Sequence, residues 1–115
     1  MEQWIRVCRP EDIPRQGARV VQVAGASDVA VFRTASERIF AIADRCPHKG
    51  GPLSQGMVFG ERVACPLHNW SVELDSGCAS APDEGCVRTF PVKVEAGEVM
   101  LDLARAPGTA RDALR

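Results

Sequence analysis

The stretch CPHKGGPL at residues 46–53 decides how this chain is organised, together with its counterpart CPLHNW at residues 65–70. Each stretch offers one thiol and one imidazole, spaced as C-x-H in the first and C-x-x-H in the second. The chain has only two histidines, and both lie in these stretches. The candidate ligands of a metal centre are therefore Cys46, His48, Cys65 and His68.

The ligand types alone leave the metal open, because two cysteines and two histidines satisfy tetrahedral zinc as well as iron. Common zinc fingers pair cysteine with cysteine and histidine with histidine, whereas here each loop contains one of each. Mixed loops suit a binuclear cluster: if one iron takes both cysteines and the other both histidines, each loop has to contact both irons. Gly50 and Gly51 would let backbone N–H groups approach a sulfide, and Pro47, Pro52 and Pro66 would stiffen the loops.

The two spaced pairs resemble the Rieske family, over about residues 3–103. More narrowly, CPHKGGPLSQG, CPLHNW and the segment APDEGCV at residues 81–87 are similar to the small subunit of assimilatory NAD(P)H-dependent nitrite reductase. The resemblance implies one Rieske-type [2Fe–2S] cluster per chain, in which two histidines replace two cysteines on one iron. The ligands that it implies are Cys46, His48, Cys65 and His68.

Length and charge limit the class of protein. A chain of 115 residues is predicted to form one domain, and a net charge of −1 gives no argument for nucleic acid or an anionic membrane surface as a partner. No apolar run approaches the length of a transmembrane helix. The N-terminus shows no charged region followed by an apolar one, as a secretory signal would. We therefore expect a cytoplasmic protein.

Three cysteines remain beside the candidate ligands, namely Cys8, Cys78 and Cys86. The odd total of five argues against the disulfide framework of a secreted domain. We therefore predict free thiols in a reducing compartment. Cys78 and Cys86 flank a loop, and either is a candidate neighbour of the cluster.

Short β-branched runs separated by turn residues predict an all-β sandwich or barrel, and no stretch before the C-terminus has convincing helical periodicity. The predicted strands are 4–7, 19–23, 29–34, 39–43, a hairpin over 57–64, then 70–74, 87–94 and 99–103. Pro91 cannot donate to a ladder and is expected at an edge or a bulge. We expect an irregular segment over residues 78–85.

The resemblance implies a Rieske-like antiparallel β-sandwich over residues 1–103, with a cluster-binding subdomain inserted at about residues 44–75. In that family a third, proline-bearing loop covers the cluster, and residues 79–82 are the candidate here. Residues 104–115 are predicted to be a flexible tail.

The neighbours of the ligands leave alternatives open. Leu53 and Leu67 are either an apolar collar where a redox partner docks or hydrophobic cover that keeps water from the sulfides. Trp70 is predicted to pack in the core behind its loop rather than to transfer electrons. Asp44 and Arg45 are candidates for pairing with each other, at little energetic gain if exposed.

The chain shows no catalytic site of its own, since it has no G-x-G-x-x-G segment after a strand and no third histidine. The resemblance implies a large partner subunit with flavin, an iron–sulfur cluster and siroheme, which reduces nitrite to ammonium with six electrons. This chain would relay electrons to that subunit or hold it in a productive state.

Two other functions remain as alternatives. One is a free Rieske-type ferredoxin that shuttles electrons to a ring-hydroxylating dioxygenase. The other is a zinc-stabilised binding module without redox function. A stable partner complex would indicate the nitrite reductase subunit, and a transient one the ferredoxin. Metal content separates both of these from the zinc-stabilised module.

The resemblance also predicts a low reduction potential. Gly51 and Leu67 stand where high-potential members have a disulfide between the ligand loops, and Trp70 and Val72 stand where they have serine and tyrosine donors. We expect a midpoint of about −150 mV, at the bottom of a Rieske range of about −150 to +300 mV. A redox titration of the purified protein measures it, and a midpoint at the positive end would contradict the prediction.

Overall fold

The fold consists of antiparallel strands. A computed structural model describes residues 4–22, 28–46, 51–66, 70–80 and 85–102. The strands are β1 (Trp4–Cys8), β2 (Gly17–Val21), β3 (Val29–Arg33), β4 (Ile39–Ala43), β5 (Met57–Phe59), β6 (Arg62–Ala64), β7 (Ser71–Glu73), β8 (Thr89–Phe90), β9 (Val92–Glu95) and β10 (Glu98–Asp102), with single 3₁₀ turns at Pro10–Asp12 and Leu53–Gln55. All the strand pairings in these ranges are antiparallel, and the predicted all-β fold is confirmed. Among the described residues no helix is long and apolar enough to cross a membrane.

The strands form three sheets that stack on one another. The outer sheet has the order β1-β10-β9, the middle sheet β2-β3-β4-β8 and the third sheet β5-β6-β7. One core lies between the outer and middle sheets, with Val29, Val31, Ala41, Val99 and Leu101 among its buried residues. A second core joins the middle and third sheets, with Ala30, Phe32, Ile42, Val58, Val63 and Val72 among its members.

Strand β3 shows why the middle sheet is central. Its sequence VAVF is an unbroken apolar run, and all four residues are completely buried. Alternate side chains point to opposite faces of a strand, so one pair enters the core with the outer sheet and the other pair enters the core with the third sheet. The order of apolar residues therefore specifies a sheet that is covered on both faces.

The prediction of one strand over residues 87–94 is wrong. The chain forms β8 in the middle sheet and β9 in the outer sheet, and Pro91 lies between them. Proline has no N–H to give to a ladder, but its carbonyl accepts a hydrogen bond from the Asp102 N–H at 3.1 Å. Both β8 and β9 are edge strands, as the expectation for Pro91 requires.

The segment that follows β7 is more regular than predicted. Its first part runs beside β7: the Glu73 N–H donates to the Cys78 carbonyl at 2.8 Å, and the Ser80 N–H donates to the Ser71 carbonyl at 2.7 Å. It thereby extends the third sheet by one short stretch of backbone pairing.

The chain then returns on itself. The Ala79 N–H donates to the Gly85 carbonyl and the Val87 N–H to the Gly77 carbonyl, both at 2.8 Å. Gly77 has a positive φ of 75°, and a side chain there would collide with the Val87 carbonyl. Residues 77–80 and 85–87 thus form the two sides of a small arm, and residues 81–84 lie outside the described residues.

A disulfide between Cys78 and Cys86 closes this arm. The prediction that both are free thiols is therefore wrong, while Cys8 is free as expected. Cys8 lies on β1, where partial burial raises the pKa of its thiol. Cys86 is exposed, so a reductant in solution can reach the disulfide.

We expect Cys86→Ser to lower the free energy of unfolding by about 2–3 kcal/mol, because the disulfide no longer restricts a short loop of the unfolded chain. Urea unfolding measures the change, and amide hydrogen exchange at Ser80 and Val87 should accelerate. A phosphine reductant should bring the wild type to the level of the variant.

Cys8→Ser is the matched control, because it replaces a thiol that forms no disulfide. It should unfold like the wild type and keep its response to the reductant. Equal stability of the Cys86 variant and the wild type without reductant would contradict the structural role of the disulfide.

Candidate metal centre

Both candidate cysteines stand at the entrance of a loop that is closed in the same way. The Cys46 N–H donates to the Gly51 carbonyl at 2.7 Å, and the Cys65 N–H donates to the Trp70 carbonyl at 2.7 Å. In each loop the bond links a cysteine to the fifth residue after it. The backbone of each cysteine is thereby fixed by a bond that does not use its sulfur atom.

The structure brings these two cysteines into one buried cluster. Cys46 is 2% exposed, Cys65 is 1% exposed, and neither forms a disulfide. The surrounding buried residues are Leu53, Val58, Val63, Val72 and Leu74. A thiolate in such apolar surroundings is costly unless a metal compensates its charge, so the site suits a metal-bound sulfur.

His48 and His68 lie outside the described residues, and so does Leu67. The described ranges contain no group of three or more histidine, cysteine or acidic side chains that could hold a metal ion. The set of four ligands therefore stays a prediction, of which the structure places the two cysteines in one buried cluster.

Three predictions about neighbouring residues have different outcomes. Leu53 is completely buried, which makes it cover for the site and removes it from the proposed docking collar. Trp70 packs against the buried cluster, as predicted. The pairing of Asp44 with Arg45 is wrong, because the two carboxylate oxygens of Asp44 accept hydrogen bonds from Ser54.

Gly56 is a site residue that the sequence analysis did not identify. It connects the 3₁₀ turn after the first loop to β5, and its backbone lies against the carbonyl of Ala64, the residue before Cys65. A Cβ at this position would collide with that oxygen and approach the Val63 side chain to 3.1 Å. Only glycine lets the end of the first loop lie this close to the start of the second.

The comparison with protein families gives the meaning of this arrangement. The model of the Rieske [2Fe–2S] domain matches residues 3–91. The chain belongs to the Rieske family. Family membership implies a Rieske-type [2Fe–2S] cluster, and two buried cysteines outside any disulfide, from two similarly closed loops, fit its cysteine-bound iron. The zinc-stabilised module is set aside on this ground.

Relatives of this Rieske domain work in several systems. The chain is 33% identical to the ferredoxin component of the naphthalene 1,2-dioxygenase system of Pseudomonas aeruginosa, covering 90% of this chain and 98% of the ferredoxin. It is 39% identical to 4β-methylsterol monooxygenase of Methylococcus capsulatus, covering 84% of this chain. The chain spans only 29% of that monooxygenase and 20% of another long relative.

The solved structures that are similar to this chain include proteins of nitrite reduction. One, assigned as the small subunit of an NADPH nitrite reductase, has a TM-score of 0.74 and 27% identity, covering 86% of this chain and 97% of that one. The Escherichia coli protein NirD has a TM-score of 0.78 and 27% identity, covering 91% of this chain and 100% of that one. The Rieske domain is therefore similar to both nitrite reductase small subunits and dioxygenase ferredoxins.

We expect Gly56→Ala to separate the two ligand loops and to destabilise the protein by about 3 kcal/mol, because its Cβ meets backbone rather than a flexible side chain. Urea unfolding measures the stability, and iron and sulfide analysis measures the cluster content, which should fall with it.

Gly60→Ala is the control, since Gly60 lies at the tip of the β5–β6 hairpin and a Cβ there has nothing within 4 Å. Because Gly60 has a positive φ of 57°, alanine there should lower the free energy of unfolding by about 1 kcal/mol. The cluster content of the Gly60→Ala variant should stay at the wild-type level. Equal cluster contents of the two variants would contradict the role of Gly56.

Proposed function

We propose that this chain is the electron-transfer small subunit of a cytoplasmic assimilatory NAD(P)H nitrite reductase. Its partner would be a large subunit with flavin, an iron–sulfur cluster and siroheme, which reduces nitrite to ammonium. The observation that carries the proposal is the segment APDEGCV at residues 81–87, together with the two ligand motifs. The likeness to a structure assigned as a nitrite reductase small subunit, over 97% of that chain, supports it.

The architecture suits a protein that passes electrons and leaves the chemistry to a partner. When bound, the cluster accepts and donates one electron at a time. The chain's own residues hold Cys46 and Cys65 at fixed loop entrances and surround them with apolar side chains. Exclusion of water keeps the reorganisation around a changing charge small, which favours reversible electron transfer.

A free ferredoxin is the second candidate, because the dioxygenase ferredoxin component is matched over 98% of its length. A ferredoxin would contact its oxygenase transiently, and the contact would weaken with salt if charges guide it. A subunit would instead remain bound during purification. The stability of the partner complex therefore separates the two functions.

The decisive experiment is an affinity purification of the tagged chain from its native cells, grown on nitrate and, separately, on ammonium. We expect a large partner in stoichiometric amount from nitrate-grown cells, with siroheme absorbance and nitrite-dependent oxidation of NADH or NADPH. Salt at moderate concentration should not remove it.

Cys46→Ser should abolish or strongly lower the nitrite-dependent activity, because it removes a predicted cluster ligand. Cys8→Ser replaces a cysteine outside the ligand loops and should leave the activity unchanged. A coloured protein that elutes alone from nitrate-grown cells and reduces an added oxygenase would overturn the nitrite reductase assignment in favour of the ferredoxin.

A further inference from the structure

A carboxylate outside the predicted ligand set closes the first ligand loop. Asp44 lies two residues before Cys46, and Ser54 follows the loop. One oxygen of Asp44 accepts a hydrogen bond from the Ser54 backbone N–H at 2.7 Å, and the other accepts one from the Ser54 hydroxyl at 2.8 Å. Both residues are half-buried. A two-point contact fixes the relative orientation of its partners better than a single hydrogen bond does.

The 3₁₀ turn at Leu53–Gln55 explains why a side-chain acceptor is needed here. The first N–H groups of a helical turn have no partner within the turn, and a side chain at the preceding position usually accepts from one of them. That position is Pro52, which makes no such bond. Asp44 supplies the missing acceptor to Ser54 from ten residues earlier in the chain.

Both ends of this contact are anchored in the fold. The Asp44 N–H donates to the Asp28 carbonyl at 2.8 Å, and the preceding Ala43 N–H donates to the Arg88 carbonyl at 2.8 Å. On the other side, Leu53 is completely buried in the core beneath the site. The contact therefore joins the end of β4 to the 3₁₀ turn, not one mobile loop to another.

The first loop is consequently closed at two levels. The inner closure is the hydrogen bond from Cys46 to Gly51, and the outer closure is the contact between Asp44 and Ser54. Loss of the outer closure would loosen the link between the end of β4 and the 3₁₀ turn, which lie at the two ends of the first loop. The direction of the Cys46 thiol would then vary more.

We propose that Asp44 is a positioning residue for the [2Fe–2S] cluster: through Ser54 it fixes the first ligand loop, and its negative charge lowers the reduction potential. The inference rests on the Rieske cluster and on no particular partner. It adds to the four predicted ligands a residue that acts through the loop.

Three variants separate geometry from charge. Asp44→Ala removes both bonds to Ser54. Asp44→Asn preserves them without the charge, because its amide oxygen accepts from the backbone N–H and its amide nitrogen donates to the hydroxyl oxygen. Ser54→Ala removes the hydroxyl bond alone.

Asp12→Ala is the matched control. Asp12 also accepts a bond from a backbone N–H, that of Arg9 at 3.0 Å, in the other 3₁₀ turn. That turn lies outside both ligand loops. The control therefore reports what the loss of any such carboxylate does to this protein.

The measurements use the isolated cluster-loaded chain: the rate of bleaching of cluster absorbance, the electron paramagnetic resonance spectrum of the reduced state, and the midpoint potential. We expect Asp44→Ala to lose the cluster about tenfold faster or more, with an altered or broadened spectrum. Ser54→Ala should lie between it and the wild type. Asp44→Asn should keep the wild-type rate and spectrum but titrate at a more positive potential.

Asp12→Ala should match the wild type in all three measurements. The proposal is overturned if Asp44→Ala matches Asp12→Ala in rate and spectrum, or if Asp44→Asn fails in the same way as Asp44→Ala. If Asp44→Ala does not fold, the asparagine and Ser54 variants decide by the same criteria. Because no nitrite and no partner is present, these outcomes are independent of the nitrite reductase assignment.

Discussion

The burial of the middle sheet on both faces is the constraint on which the rest of the structure depends. Strands β3 and β4 give alternate side chains to two cores, so the outer sheet and the third sheet are both held by the same backbone. Cys46 lies three residues after the end of β4, and Cys65 directly follows β6 of the third sheet. The packing of Ile42 and Phe32 against Val58, Val63 and Val72 is therefore also what brings the two ligand loops together.

Each of the two loops is closed by the same kind of backbone hydrogen bond, but the loops are supported differently. The first has the contact between Asp44 and Ser54 behind it, and the second is followed by β7 and the disulfide-closed arm. In both cases the support lies next to a strand, at the end of β4 for the first loop and along β7 for the second. A buried cluster site needs this, because sulfur ligands in apolar surroundings must be held in position without help from water.

Much of the fold follows from local sequence. The boundaries of β4 were predicted correctly, as was the hairpin over residues 57–64, because β-branched runs end there at turn residues such as Gly60. Family membership and the cluster likewise follow from the two ligand motifs, which occupy short and characteristic segments. Local patterns succeed where the interactions that decide the structure are themselves local.

The failures are all non-local. Nothing in the spacing of Cys78 and Cys86 states that they pair, since the arm that joins them depends on backbone bonds to β7. The partner of Asp44 lies ten residues away across a loop. The division at Pro91 arises because the chain changes from one sheet to another. The predicted histidine ligands and residues 81–84 lie outside the described residues, so what the sequence suggests about them stays a prediction.

The pairing of β1 with β10 has a consequence for how the chain folds as it is synthesised. Trp4 lies opposite Asp102, so the outer sheet cannot close before nearly the whole domain has left the ribosome. The ligand loops and the third sheet come from one continuous stretch that ends at Glu73, and their pairings are between neighbours in sequence. Contacts that are close in sequence form fast and distant ones slowly. Synthesis therefore provides an interval in which the site is assembled while one face of the middle sheet is still uncovered.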